Sequence, residues 1–464
     1  MLAEIDRGTI VVLPSLSFPT DELKKITGII HYETRLLCTA LWLASPDLRL
    51  VYITSIPIAP VIVDYYLELL PDPASARERL HLVALDDPRP GSLSTKLLAR
   101  PDTLRVIQDL IEGPSYLLPF NVTAAESRLA EALEIPLHGP RPEHAFLGSK
   151  TGARRLGRQL GVAVLDGAEE LRSPEDLERE IEALRGRRPG IGGVVVKLNE
   201  GFSGQGNVIL GVDGMRGSVT SSSALFCAGG ESWETYLPKM LAEGAIVEEL
   251  VTRPDAVSPS AQLRIDETGR CALVSTHDQR LGGPGNQVYL GCSFPADPGY
   301  RAAVTKEALK LGRALADEGV TGFFGIDFIV VPSQAGPQVF LSEINLRIGG
   351  TTHPFLTAAA VTGGTLDPVT GDLVADGRRK SYVASDNVKA EAYVGLFPAQ
   401  VIAAVRSAGL AFDPRTRSGA TLHLLGALPE HGKFGVVCIA GSISEADELF
   451  HEVRACVDAL KKET

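Results

Sequence analysis

The sequence predicts a multidomain protein of α/β and α+β type, with an N-terminal α/β domain, a central two-part region and a small C-terminal α+β domain. Three observations lead there. The chain has 464 residues, enough for about three domains at roughly 150 residues each. Its opening third alternates short apolar runs with amphipathic stretches, the signature of a mainly parallel sheet covered by helices. From residue 147 the texture changes to strands separated by glycine-rich loops.

Taken in order, β-branched runs at 9–13, 48–54, 81–85 and 116–120 read as strands. The amphipathic stretches at 34–44, 61–70, 102–112 and 123–133 read as helices between them. Asp64, Asp102 and Thr123 stand where helix starts favour acidic or capping groups, and Pro71 stops the second stretch. No G-x-G-x-x-G follows any of these strands, so the domain carries no dinucleotide fingerprint. A basic helix at 150–160 leads through the stretch 162–165 to an acidic, arginine-rich helix at 174–185. Strand 193–198 then enters a glycine-rich loop, and a second strand ends at 210. Segment 218–230 reads as a surface excursion and 362–380 as a loop carrying a solvated cluster, Arg378, Arg379 and Lys380. Further strands are predicted at 245–251, 262–265, 272–276, 325–331 and 338–344. The last part begins at 388–396 and ends in a helix at 444–461, whose Leu449, Phe450, Val453 and Leu460 face packs inward.

Composition narrows the function classes. Hydrophobic residues make up 44% and charged residues 22%, which excludes wholesale disorder. With 45 Lys+Arg against 57 Asp+Glu the net charge is -12, which disfavours non-specific binding to nucleic acid or an anionic membrane. Acidic Glu4 and Asp6 stand where a signal peptide needs basic residues, and stretch 348–366 is too rich in Gly and Thr for a membrane span. The six cysteines form no C-x-x-C pair and fit buried thiols in a reducing compartment. The expectation is a cytoplasmic enzyme with no nucleic-acid or membrane partner.

Two stretches carry chemistry. At 194–206 an apolar strand delivers Lys197 into a turn holding Gly201, Gly204 and Gly206. Closely spaced glycines let backbone N–H groups approach phosphate oxygens, while the lysine adds charge. The lysine precedes the glycines, so this is not a P-loop, and a glycine hairpin beside an incidental lysine is the competing reading. The second stretch pairs an apolar strand bearing Asp327 with one bearing Glu343 and Asn345. Strand alternation puts Glu343 and Asn345 on one face, about 7 Å apart, with Asp327 within reach from its neighbour. Two carboxylates and an amide oxygen suit Mg²⁺ bridging nucleotide phosphates; a half-exposed polar strand face is the alternative. Between them, strand 244–251 ends in Glu248 and Glu249, suited to an adenine edge and a ribose or to an ordinary strand end.

In this order the pieces resemble the ATP-grasp ligases over residues 120 to 360. The matching pattern is Lys150 at a helix start, Lys197 before a glycine-rich loop, the Glu248-Glu249 hinge, Asp327, then Glu343 with Asn345. Stretches 51–55, 64–66, 117–123, 197–204, 275–279 and 347–354 further resemble the peptide ligases of pheganomycin-type biosynthesis. The resemblance implies an N-terminal pre-ATP-grasp-like domain (1–145), a lid subdomain (146–240), a metal-bearing ATP-grasp subdomain (241–375) and a C-terminal domain (376–464). It implies ATP bound by Lys150, Lys197, Gly201, Ser203, Gly204, Gly206, Glu248, Glu249 and Val251, and Mg²⁺ held by Asp327, Glu343 and Asn345. Catalysis falls to Lys197, to Arg347 as holder of a carboxylate or tetrahedral intermediate, and to Arg264 at phosphate. The implied reaction is ADP-forming ligation of an amino-acid carboxylate, as an acyl phosphate, to the N-terminal amine of a peptide. Two readings compete: a ligase joining two small amino acids or another small carboxylate and amine, and a nucleotide-binding scaffold without turnover. The segment after the hinge lacks the family's ribose-binding Glu, which leaves Asp255 and Gln262 as candidates. His277 and His353 are expected in structural or substrate-contact roles, and a homodimer is compatible with the resemblance.

Overall fold

The computed structural model describes residues 5–201, 204–212, 218–221 and 223–460. Its N-terminal sheet is parallel, in the order Leu80–Ala84, Leu48–Thr54, Gly8–Leu13, Ser115–Pro119. The unbroken apolar run at 10–13 has a physical cause, since both faces of that strand are covered. Val11 and Leu13 pack with Leu93, Leu97, Ile107 and Leu129 of the helices on one side. Ile10 and Val12 belong to a second core that also contains Leu36, Tyr52, Phe434 and Val437, so the two ends of the chain share one interior. Tyr65 fastens them further, its hydroxyl accepting from the Leu422 backbone N–H at 2.8 Å.

Most N-terminal elements fall within a few residues of their predicted bounds, and Thr123 caps helix Ala124–Leu133 as expected, in a capping box with Glu126. Asp64 does not start a helix. Pro60 opens that helix (Pro60–Leu67), and Asp64 lies inside it, paired with Arg77. Stretch 29–44 is helical but winds as a 3₁₀-type run, Ile29–Ala44.

The segment expected as a lid forms, among the described residues, a five-stranded antiparallel sheet in the order Gly167–Leu171, Ala245–Glu249, Gly193–Leu198, Asn207–Gly211, Ala224–Phe226. Helices Pro174–Arg187 and Trp233–Glu243 back it through Leu177, Ile181, Leu184, Tyr236 and Met240. The stretch 162–165 makes a single bridge, Val164 to Leu341, and a strand follows at Gly167–Leu171.

The third sheet has ten strands. It begins Gln338–Asn345, Gly322–Val331, Pro259–Ile265, Cys271–Gly282, Val288–Phe294 and continues through Arg378–Lys389 to Lys433–Ala440 and Gly419–His423. The sheet therefore runs without interruption across residue 375. The Arg378–Lys380 segment, expected in a loop, opens one of its strands, and Lys380 is buried with Nζ donating to Thr416 O (2.8 Å) and Ser418 Oγ (3.0 Å). Helix Pro298–Asp317 covers the sheet through Val304, Ala308, Leu311 and Leu315. Helix Ile443–Ala459 buries Val453 and Val457 against the C-terminal strands. No helix among the described residues is long and apolar enough to cross a membrane, and the six cysteines are free thiols.

Candidate active site

A cavity of about 590 Å³ opens where the lid sheet meets the ten-stranded sheet. Lys150, Lys197, Gly201 and Gly204 line it from the lid side, and Asp327, Glu343, Asn345 and Arg347 from the other.

Lys150 is the first residue of helix Lys150–Leu160, where it is fixed by a local device. Ser149 Oγ caps the helix by accepting from Gly152 N–H at 3.0 Å. Residue 152 has to be glycine, because a Cβ there would lie 1.8 Å from Phe146 O. Lys150 Nζ reaches Glu343 at 2.5 Å and donates to Gly201 O at 3.0 Å, so it joins the loop to the carboxylate strand.

Lys197 leaves strand Gly193–Leu198 toward the junction of the two sheets, with Nζ 2.7 Å from Glu248 and 3.4 Å from Ser342 Oγ. Glu248 is 1% exposed and is also gripped by Arg154, itself 0% exposed. Arg154 in turn pairs with Glu169 at 2.5 Å and donates to Leu165 O at 2.9 Å. The two cations overcome the desolvation of Glu248 and hold its carboxyl below the usual carboxylate range. That carboxylate organises Lys197 and does not reach the cavity. Glu249 points elsewhere, to Arg188 at 2.8 Å, and Val251 and Gly206 also fall outside the lining. Arg264 likewise lies outside it, its guanidinium 5.9 Å from the Phe323 ring centre. Ser203 lies outside the described residues. Of the two ribose candidates, Gln262 lines the cavity and Asp255 pairs with Arg253 away from it.

The loop glycines have a structural cause as well as a chemical one. Gly204 has φ +79°, and a Cβ there would lie 2.7 Å from Gln287 O. Gly204→Val is therefore expected to lower stability by about 1–2 kcal/mol from the left-handed backbone alone, and to raise KM for ATP as the loop shifts. Denaturant unfolding together with ATP titration of the rate checks this; a variant with wild-type behaviour in both would mean the backbone there is unconstrained.

The carboxylate cluster is set by register. Asp327 stands opposite Glu343, and Gly325 opposite Asn345. Asn345 Nδ2 donates to Asp327 (2.9 Å) and to Glu343 (3.0 Å), Arg347 Nη2 donates to Asn345 Oδ1 (2.9 Å), and Gln279 Nε2 donates to Asp327 (2.7 Å). Burial and the facing charge of Glu343 hold the Asp327 carboxyl well above the usual range. For Glu343 the ammonium of Lys150 outweighs burial and holds it below that range.

Sequence reasoning missed several lining residues. Gln279 follows strand alternation and was within reach of a pattern argument. Arg35, Tyr32, Asp386 and Lys433 also line the cavity, from both ends of the chain, with no local motif to mark them. His277 is fully buried, bonded to the Tyr382 hydroxyl at 2.6 Å and away from the cavity, a packing role. His353 is buried against Asp386 at 3.1 Å.

Residues 229–369 match the family described as IQCH-like, ATP-grasp, and residues 400–453 match the PGM1 C-terminal domain. The chain is 30% identical over 461 residues to the L-propargylglycine–L-glutamate ligase of Streptantibioticus cattleyicolor, covering 95% of this chain and 92% of that one. Among solved structures, the biotin carboxylase of Campylobacter jejuni aligns with TM-score 0.59 at 12% identity, over 99% of this chain and 96% of that one. A carboxyaminoimidazole ribonucleotide synthase complexed with ATP, from Aspergillus clavatus, aligns with TM-score 0.52 at 11% identity, over 98% and 99%. These two likenesses establish the shared fold. Extending over nearly the full length of both chains, the sequence kinship with the Streptantibioticus enzyme places this protein among the ATP-grasp carboxylate-amine ligases, enzymes of ATP-dependent amino-acid ligation.

Proposed function

We propose that the enzyme activates an amino-acid carboxylate as an acyl phosphate, with release of ADP, and joins it to the amine of a second amino acid or of a peptide N-terminus. The observation that carries this reading is the meeting of Lys150 and Lys197 with Asp327, Glu343 and Asn345 around one cavity. Both ammonium groups stand ready to take phosphate oxygens in place of their present carboxylate partners. Asp327 and Glu343 fit Mg²⁺, since carboxylates are hard donors and a divalent cation relieves the repulsion between them; Asn345 would join as a third hard donor by turning its amide oxygen from Arg347 toward the carboxylates. Bound there, Mg²⁺ would neutralise phosphate charge.

The chemistry then needs little from protein bases. A substrate carboxylate oxygen attacks the γ-phosphorus, the bond to ADP breaks, and the lysines offset the charge that spreads over the phosphoryl oxygens. The amine next attacks the acyl carbon, the C–N bond forms, and phosphate leaves with the acyl oxygen it carried. Arg347, held against Asn345 at the cavity wall, is placed to steady the acyl oxygen in that second step.

The relative acts, by its name, on two free amino acids, which favours a small acceptor over a long peptide. Incubation with ATP, Mg²⁺ and a mixed pool of amino acids and short peptides, read by mass spectrometry, tests the function. Product yield that falls with acceptor length supports the amino-acid acceptor, and yield that rises supports the peptide. ADP and phosphate are expected in step with product, and stoichiometric AMP and pyrophosphate would rule the acyl-phosphate route out.

A further inference from the structure

The cavity wall carries more positive charge than nucleotide chemistry accounts for. Among the described residues, seven Lys and Arg side chains line it against three carboxylates, in a chain whose net charge is -12. Lys150, Lys197 and Arg347 stand at the end that holds Asp327 and Glu343. At the other end the N-terminal domain contributes Arg35 and the C-terminal domain contributes Lys389 and Lys433, with Asp386 as the carboxylate among them.

Arg35 is 7% exposed. Its guanidinium lies 4.6 Å from the ring centre of Tyr32 and 4.9 Å from that of Phe120, so its planar faces are covered by aromatic rings. Nη1 donates to Asp386 Oδ2 at 3.2 Å, whereas the buried Nε has no hydrogen-bond partner among the described residues. Lys433 is 5% exposed. Its Nζ donates to the Tyr32 hydroxyl at 2.6 Å and has no carboxylate in ion-pair contact among the described residues. Asp386 cannot neutralise both cations, because its other oxygen is taken by His423 Nε2 at 2.8 Å and His353 Nε2 at 3.1 Å. Burial pushes the Lys433 ammonium down to about 8, with Lys389 and Arg35 adding to the fall and Asp386 only partly opposing it.

We propose that Arg35, Lys433 and Tyr32 form a subsite for a free carboxylate of the acceptor, so that the enzyme holds the acceptor amino acid by a carboxylate that takes no part in the reaction. This inference rests on the ligase reading and deepens it. A buried guanidinium with an unused Nε edge matches a carboxylate in two-point contact, and the lysine adds a point charge from the opposite domain. The alternative is that Arg35 is a staple between the two ends of the chain. A staple built on the Arg35–Asp386 pair leaves Lys433 unexplained, a buried cation at the cavity wall with no carboxylate in ion-pair contact among the described residues. Asp386, clamped by two histidines, then fixes Arg35 in place and acts as a positioning residue. An acceptor anchored by its carboxylate at this end extends its amine past Arg347 toward the acyl group formed beside Lys150 and Lys197.

The test uses the full chain and two readouts. Glutarate, a dicarboxylate without an amine, is titrated calorimetrically into the protein in the presence of ADP and Mg²⁺, which reads the subsite without turnover. Wild type is expected to bind it at least about tenfold more tightly than Lys433→Met, and more tightly than it binds glutaramide. In ligation assays Lys433→Met and Arg35→Lys are expected to raise KM for L-glutamate at least about tenfold while KM for ATP stays within about twofold. Equal binding of glutarate and glutaramide by wild type overturns the subsite, as does an unchanged glutarate affinity in folded Lys433→Met. A parallel rise in KM for ATP would assign these cations to the nucleotide and overturn it too. Glutarate binding that behaves as expected, with no ligation product from any pool, would instead count against the ligase reading alone.

Discussion

Glu343→Gln is expected to abolish ligation while the chain stays folded. Glu343 unites three features of the site: the 2.5 Å ion pair with Lys150, the register opposite Asp327, and the hydrogen bond from Asn345. Glutamine keeps the size and can keep the Asn345 contact through its amide oxygen, and Lys150 retains its bond to Gly201 O, so local structure has other anchors. What disappears is the charge. The proposed donor set for Mg²⁺ loses the carboxylate that Lys150 keeps ionised, and the remaining one, Asp327, is the partner whose burial disfavours ionisation. Asp327→Asn is expected to behave similarly. Product formation at saturating Mg²⁺, with circular dichroism to check folding, decides the matter; near-normal turnover in either variant would sink the assignment.

Lys197→Ala is expected to lower kcat/KM for ATP by at least about a hundredfold, roughly 3 kcal/mol. Removing the ammonium deprives phosphate oxygens of their charge partner in both ground and transition states. The fold should tolerate the change, because Glu248 remains held by Arg154 and is not stranded in the interior. Lys197→Arg should rescue only in part, since a planar guanidinium does not fit between Glu248 and Ser342 as a compact ammonium does. A folded Lys197→Ala enzyme with unchanged ATP kinetics would place the phosphates elsewhere and restore the reading of an incidental lysine on a glycine hairpin.

Much of the fold was legible because its causes are local. Strand Leu48–Thr54 and helix Lys150–Leu160 fall where the apolar and amphipathic patterns put them. Helix Pro298–Asp317 escaped notice although its start signals are present, with Asp297 as N-cap and Pro298 at the first helical position. Strand Arg378–Lys389 could not be read so easily. It opens with three consecutive cations, which suggest a solvated loop until the Thr416–Ser418 turn arrives to satisfy Lys380. The Glu248 side chain shows the same limit, because strand alternation cannot say that Arg154, from a helix far away in sequence, claims it.

The order of the chemical elements is already written in the chain: a lysine at a helix start, a lysine before glycines, then carboxylates on adjacent strands. Their relative placement follows from short-range rules, since side chains alternate along a strand and neighbouring strands fall into register. The opposite end of the cavity, by contrast, is a product of long-range packing. Arg35 and Tyr32 meet Asp386 and Lys433 across some 350 to 400 residues of chain, brought together by the core that Leu36 and Tyr52 share with Phe434 and Val437. Contacts of that kind arise from the packing of apolar faces between distant elements, which carries no sequence period, and so nothing in the local pattern announced where these cations would stand.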